Sequence, residues 1–145
     1  MRRPARAAIV LVLALAGCGR DGETGAAEVA AADVAVTLPA LPGRPGAAYF
    51  RLETSGEGVR LTGLSSAAAE RIELHETGMR PAAAIALPAG EPLSFAPGGR
   101  HAMLFGLDPS LRAGGSIALT FTFEGARPVT VQAQVRRPGG VHGSD

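Results

Sequence analysis

From Asp33 onward apolar residues recur with a period of two: Val34, Val36 and Leu38 alternate with small or polar residues, and the same alternation returns several times along the chain. A side-chain period of two is the mark of half-buried strands. It predicts strands over residues 33–38, 47–53, 58–64, 70–76, 84–87, 92–96, 101–107, 116–123 and 129–135. Turn formers separate them, among them Ser55-Gly56-Glu57-Gly58, Pro97-Gly98-Gly99, Asp108-Pro109-Ser110 and Ala113-Gly114-Gly115. Only Ser65 to Ala69 reads as locally helical, for a single turn. Short strands punctuated by Gly and Pro predict one all-β domain, an antiparallel Greek-key sandwich or barrel. In residues 116–123, Ile117, Leu119, Phe121 and Phe123 fall on one face and Ala118, Thr120 and Thr122 on the other. Val129, Val131, Ala133 and Val135 alternate likewise, and the two segments are expected to pair as a C-terminal hairpin.

The N-terminal segment breaks this pattern. Arg2, Arg3 and Arg6 precede an apolar run from Ala7 to Ala16, followed by Gly17 and Cys18. That is the layout of a secretory signal, and its ten apolar residues would rise only about 15 Å as a helix, half of a bilayer core. Leu15-Ala16-Gly17-Cys18 resembles a bacterial lipobox, which assigns residues 1–17 to a signal peptide and Cys18 to lipidation. An ordinary signal with a chance Cys is the alternative. Residues 18–32, mostly Gly, Ala and acids, are expected to tether the lipid to a domain at 33–136, with 137–145 as a disordered tail. The protein would then lie outside the cytoplasm, held on a bacterial membrane.

Composition narrows the chemistry. All 14 basic residues are Arg, against 13 acidic ones. Without residues 1–17 the count is 11 Arg against 13 acids, a net charge of −2 that argues against nucleic acid as a partner. The single Cys excludes a disulfide framework or Cys-rich metal site within one chain. No catalytic motif stands out: Gly63-Leu64-Ser65-Ser66-Ala67 lacks the closing Gly of a nucleophile elbow, and Gly98-Gly99-Arg100 lacks the Lys-Ser/Thr of a phosphate loop. The protein is read as a non-enzyme.

What remains is a small set of soft donors spaced as His75-x3-Met79-x21-His101-x-Met103. Along the strand at 101–107, His101, Met103 and Phe105 share a face, and residues two apart lie about 7 Å apart, near enough to reach one ion. In residues 70–76, Ile72 and Leu74 point inward, which leaves Arg71, Glu73 and His75 on the outer face. Thr77-Gly78 offers a tight turn that could return a solvent-facing Met79 toward His75. Thioethers with imidazoles favour Cu(I), whereas a blue-copper centre needs a Cys that the mature chain lacks. Imidazoles ligate only when unprotonated, so such a site weakens as pH falls through roughly 6.5. Packing alone would also account for Met103 as a gap-filler beside a hydrogen-bonded His101. Glu76 either orients an imidazole or is a solvated strand-end charge, and His142 in the tail could at most add a weak Cu(II) contact.

These residues resemble the PCu(A)C family of periplasmic copper chaperones. The similarity runs from about Val34 to Val135 and includes Gly46-Ala47-Ala48-Tyr49-Phe50, Ile72-Glu73-Leu74-His75-Glu76 and, most specifically, Gly98-Gly99-Arg100-His101-Ala102-Met103-Leu104. In that family a first His is followed about ten residues later by Met, then by twenty-one residues and His-x-Met. Met79, His101 and Met103 keep the spacing of twenty-one, while His75 precedes Met79 by a shortened loop of three residues. The resemblance implies a cupredoxin-like Greek-key domain binding Cu(I) through His75, Met79, His101 and Met103. It further implies delivery of copper to the binuclear copper centre of cytochrome c oxidase or a related cuproenzyme. Two other readings are a copper scavenger or tolerance lipoprotein, and a metal-free envelope interaction lipoprotein.

Overall fold

In the computed structural model, which describes residues 26–139, the alternation resolves into ten strands. They are β1 (Val29–Thr37), β2 (Gly46–Thr54), β3 (Val59–Ser65), β4 (Arg71–Glu76), β5 (Arg80–Pro81), β6 (Ile85–Leu87), β7 (Leu93–Phe95), β8 (His101–Phe105), β9 (Ser116–Glu124) and β10 (Val129–Arg136). The described residues contain no helix. Ser65 to Ala69 makes one turn, with the Ala69 N–H donating to the Ser66 carbonyl at 3.3 Å. The strands form a single curled sheet in the order β5-β4-β8-β2-β1-β10-β9-β3-β6, with β7 also on β2. It is an all-β half-barrel, antiparallel at every strand pair except β1 with β10. The parallel pair turns the expected antiparallel sheet into a mixed one.

Two elements depart from the sequence reading. β1 begins at Val29, four residues before the expected start at Asp33, so the end of the predicted tether is part of the sheet. Val29–Ala32 pair with Arg51–Thr54, and a backbone ladder needs no large side chains to form. The register shifts between Ala32 and Ala35, where Asp33 adopts a φ of 54°, a bulge that hides the strand's true length from a period-two count. β5, two residues with a Pro, carries no alternation at all and exists because the chain doubles back on β4.

The core lies on the concave face. Val36, Leu52, Val59, Leu61, Leu104, Leu119 and Phe121 are fully buried. Phe50 stacks on Phe95 with centroids 4.3 Å apart and meets Phe121 edge-on at 4.8 Å. Each such side chain contributes about 1.5–3 kcal/mol by leaving water. The hairpin β9–β10 forms as expected, with Val129 opposite Phe121 and Ala133 opposite Ile117. Gly46 opens β2 where a Cβ would lie 2.6 Å from Leu107 Cδ1 and 2.8 Å from the Thr37 carbonyl oxygen, so only glycine lets β2 run this close to β1. That close approach fixes β2, and β2 in turn carries β8.

Candidate metal centre

β4 and β8 pair antiparallel in a register that places Arg71 opposite Phe105, Glu73 opposite Met103 and His75 opposite His101. Because side chains alternate, Ala102 and Leu104 of β8 and Leu74 of β4 enter the core. The other parity puts the three facing pairs on the convex face. Facing residues stand about 5 Å apart and successive ones on a strand about 7 Å, so Glu73, His75, His101 and Met103 mark the corners of a small rectangle.

The two imidazoles are held ready to act as donors. Their rings stack with centroids 5.2 Å apart and planes 23° from parallel. His101 Nδ1 lies 3.1 Å from the Gly99 carbonyl oxygen, and His75 Nδ1 lies 3.2 Å from that of Met79. A carbonyl can only accept, so each Nδ1 carries a proton, and each ring turns Nε2 away from that carbonyl. A ring N–H tied to a carbonyl is the usual support of a metal-binding histidine.

The turn between β4 and β5 supplies one of those carbonyls. Glu76 pairs with Arg80, which leaves Thr77-Gly78-Met79 as the loop, with φ of 81° at Gly78 and 66° at Met79. The left-handed conformation costs a non-glycine residue about 1 kcal/mol, and here it aims the Met79 carbonyl at His75. The Met79 side chain stays 57% exposed, as the turn suggested. His75, by contrast, is only 6% exposed. It sits on the outer face as expected, but its own hairpin turn and the His101 ring cover it, a shield of backbone that residue types do not announce.

The charged residues sort differently from the sequence reading. Glu76 accepts from Arg100 Nε at 2.7 Å, which ties the end of β4 to the residue just before His101. The carboxylate at the histidines is Glu73: Oε2 lies 3.4 Å from His75 Nε2, while Oε1 accepts from Arg71 Nε at 2.7 Å. The Arg71 guanidinium in turn lies 4.2 Å over the Phe105 ring. The signal for Glu73 was available, since it shares strand parity with His75. Among the described residues no three His, Cys, Asp or Glu side chains converge as a metal site; the two imidazoles stack, and the register puts Met103 on their face of the sheet. Cys18 and His142 lie outside the described residues.

The likeness to known proteins follows this geometry. The family described as "Putative lipoprotein LpqE-like" matches residues 29–135. A Leifsonia xyli subsp. xyli protein named "Putative lipoprotein Lxx21020" is 34% identical over 99 residues. That match covers 62% of this chain and 60% of the relative, so the chain spans less than two thirds of that protein's length. Among solved structures, the copper-bound PCuAC domain from PmoF2 superposes with a TM-score of 0.69 at 26% identity, covering 76% of this chain and 93% of that domain. The Cu(I) form of DR1885 from Deinococcus radiodurans gives 0.62 at 25% identity, covering 84% and 87%. On the family match over residues 29–135 and these superpositions, the chain belongs to the LpqE-like lipoprotein family and has the PCuAC fold.

Proposed function

We propose that this protein is an extracytoplasmic copper chaperone, anchored through a lipid on Cys18, that binds one Cu(I) with His75, His101, Met103 and Met79 and passes it to a copper protein. The observation that carries this reading is the His75–His101 pair: stacked rings, both Nδ1 atoms tied to carbonyls, and Met103 two residues from His101 on the same face. Copper-bound PCuAC domains among the similar structures support it. Imidazole and thioether are neutral and suit the soft monovalent ion. They also resist the oxidising surroundings that would consume thiols.

We assign Met79 the moving part in transfer. Its thioether is exposed, on a turn whose backbone already contacts His75, so rotation about its side-chain torsions closes it over the ion and releases it again. Transfer then goes by exchange of one ligand at a time, downhill to an acceptor with thiolate ligands. The binuclear copper centre of cytochrome c oxidase is the acceptor we propose. Anaerobic Cu(I) titration against a chromophoric chelator tests binding. One equivalent is held by the wild type and lost in the His101→Ala, Met103→Ala double variant; equal retention by both would refute the site. Deletion under low copper tests the acceptor, with a fall in oxidase activity expected and unchanged activity counting against it.

A further inference from the structure

Beyond the end of β8 opposite to His101, one large apolar side chain stands out of the surface. The chain leaves β1 through a loop, Leu38-Pro39-Ala40-Leu41-Pro42-Gly43-Arg44-Pro45, that leads into β2. Its tip is a β-turn: the Arg44 N–H donates to the Leu41 carbonyl at 3.3 Å, with Pro42 and then Gly43, at a φ of 76°, in the centre. That is the residue choice of a type II turn. The prolines stiffen the loop, and the Leu38 N–H fixes its base by donating to the Arg136 carbonyl at 2.9 Å. Leu41, at the corner of the turn, is 62% exposed, more than any other large apolar residue among those described.

The same loop and the segment between β8 and β9 wall a pocket of about 440 Å³. Leu38, Pro39, Leu107, Pro109 and Leu111 make it apolar, while Arg44 and Asp108 add one charge of each sign. Leu41, alone of the residues from Leu38 to Arg44, is not part of that wall. No ion pair joins Arg44 and Asp108 to each other or to any other described residue. A partner with charge of one sign would meet a like charge here. A two-fold contact would not, because in it every residue meets its complement on the other copy. We propose that this patch pairs with the same patch of a second copy of the chain: Leu41 of each copy enters the pocket of the other, and Arg44 of each meets Asp108 of the other. Knob and pocket are preformed, so docking orders little. The patch is small, so the pair is weak in solution and gains when both copies are held on one surface. The contact lies away from His75 and His101 and does not rest on the copper reading.

Sedimentation equilibrium of the full chain in density-matched detergent tests this, with an unfolding midpoint measured for every variant. The wild type is expected to pass from single to paired copies as its concentration rises from about 10 μM to about 1 mM. Leu41→Glu, at an exposed position, is expected to stay folded and single throughout. Arg44→Glu and Asp108→Arg each set like charges against each other across the contact, and each alone is expected to weaken pairing at least about tenfold. Mixed in equal amounts, the two variants regain both ion pairs between unlike copies, and the paired mass returns. That recovery distinguishes a contact between copies from an effect within one. A wild type that stays single, undiminished pairing in Leu41→Glu, or a mixture no heavier than its components would overturn the proposal.

Discussion

The pairs β9–β10 and β4–β8 are built by the same rule and used for different ends. Both send alternate residues into one core: Leu119, Phe121, Ala133 and Val135 from the first, Leu74, Ala102 and Leu104 from the second. Their outer faces diverge. On β9–β10 the Thr120 and Thr130 hydroxyls, directly opposite each other, bond at 2.8 Å. On β4–β8 the corresponding positions hold two imidazoles, a thioether and a carboxylate gripped by arginine. The inner face decides that the sheet forms. The outer face is free to differ, and in β4–β8 it carries donors that packing does not require.

If the inner faces are equivalent, removing a core side chain from either pair should cost about the same. Leu104→Ala and Leu119→Ala are each expected to destabilise the protein by roughly 2–5 kcal/mol in denaturant unfolding, since both side chains are fully buried. The outer faces should then separate the pairs. His101→Ala is expected to weaken Cu(I) by roughly 100-fold in chelator competition with little change in unfolding midpoint. Thr120→Ala should leave Cu(I) binding unaltered and cost about 0.5 kcal/mol.

Smaller effects sharpen the contrast at the turn and at the link between the pairs. Met79→Gly removes the left-handed penalty and is expected to raise stability by roughly 1 kcal/mol while lowering Cu(I) affinity, a trade that thermal unfolding and titration would detect together. Asp108 lies between β8 and β9, where the Ser110 N–H donates to its carboxylate at 2.8 Å and holds its pKa below the ordinary 3.8. A lowered carboxylate adds stability above its unfolded pKa, and the gain is lost as pH falls through the lower folded value. Stability measured below about pH 4 should therefore fall less steeply in Asp108→Asn, the smallest of these effects.

Much of this was legible in the sequence because side-chain parity is a physical constraint. The alternation in residues 116–135 assigned the β9–β10 faces, and the same count put His101 beside Met103 and left His75 on the outer surface. Features made by backbone left no such trace. β1 starts at Val29 because main-chain groups pair across alanines, and a bulge at Asp33 then resets the alternation. His75 is buried because a turn carbonyl and a neighbouring ring cover it. The choice between Glu73 and Glu76 depended on where Arg71 and Arg100 reach, which only the folded pairing of β4 with its neighbours decides.

The central claim is that the outer face of β4–β8 holds one Cu(I) with imidazole and thioether donors. X-ray absorption of the Cu(I)-loaded protein addresses it most directly. The account predicts a single copper surrounded by two nitrogen and two sulfur scatterers, with one sulfur missing in Met103→Leu and the other in Met79→Leu. A first shell without sulfur, or one unchanged by both substitutions, would contradict it.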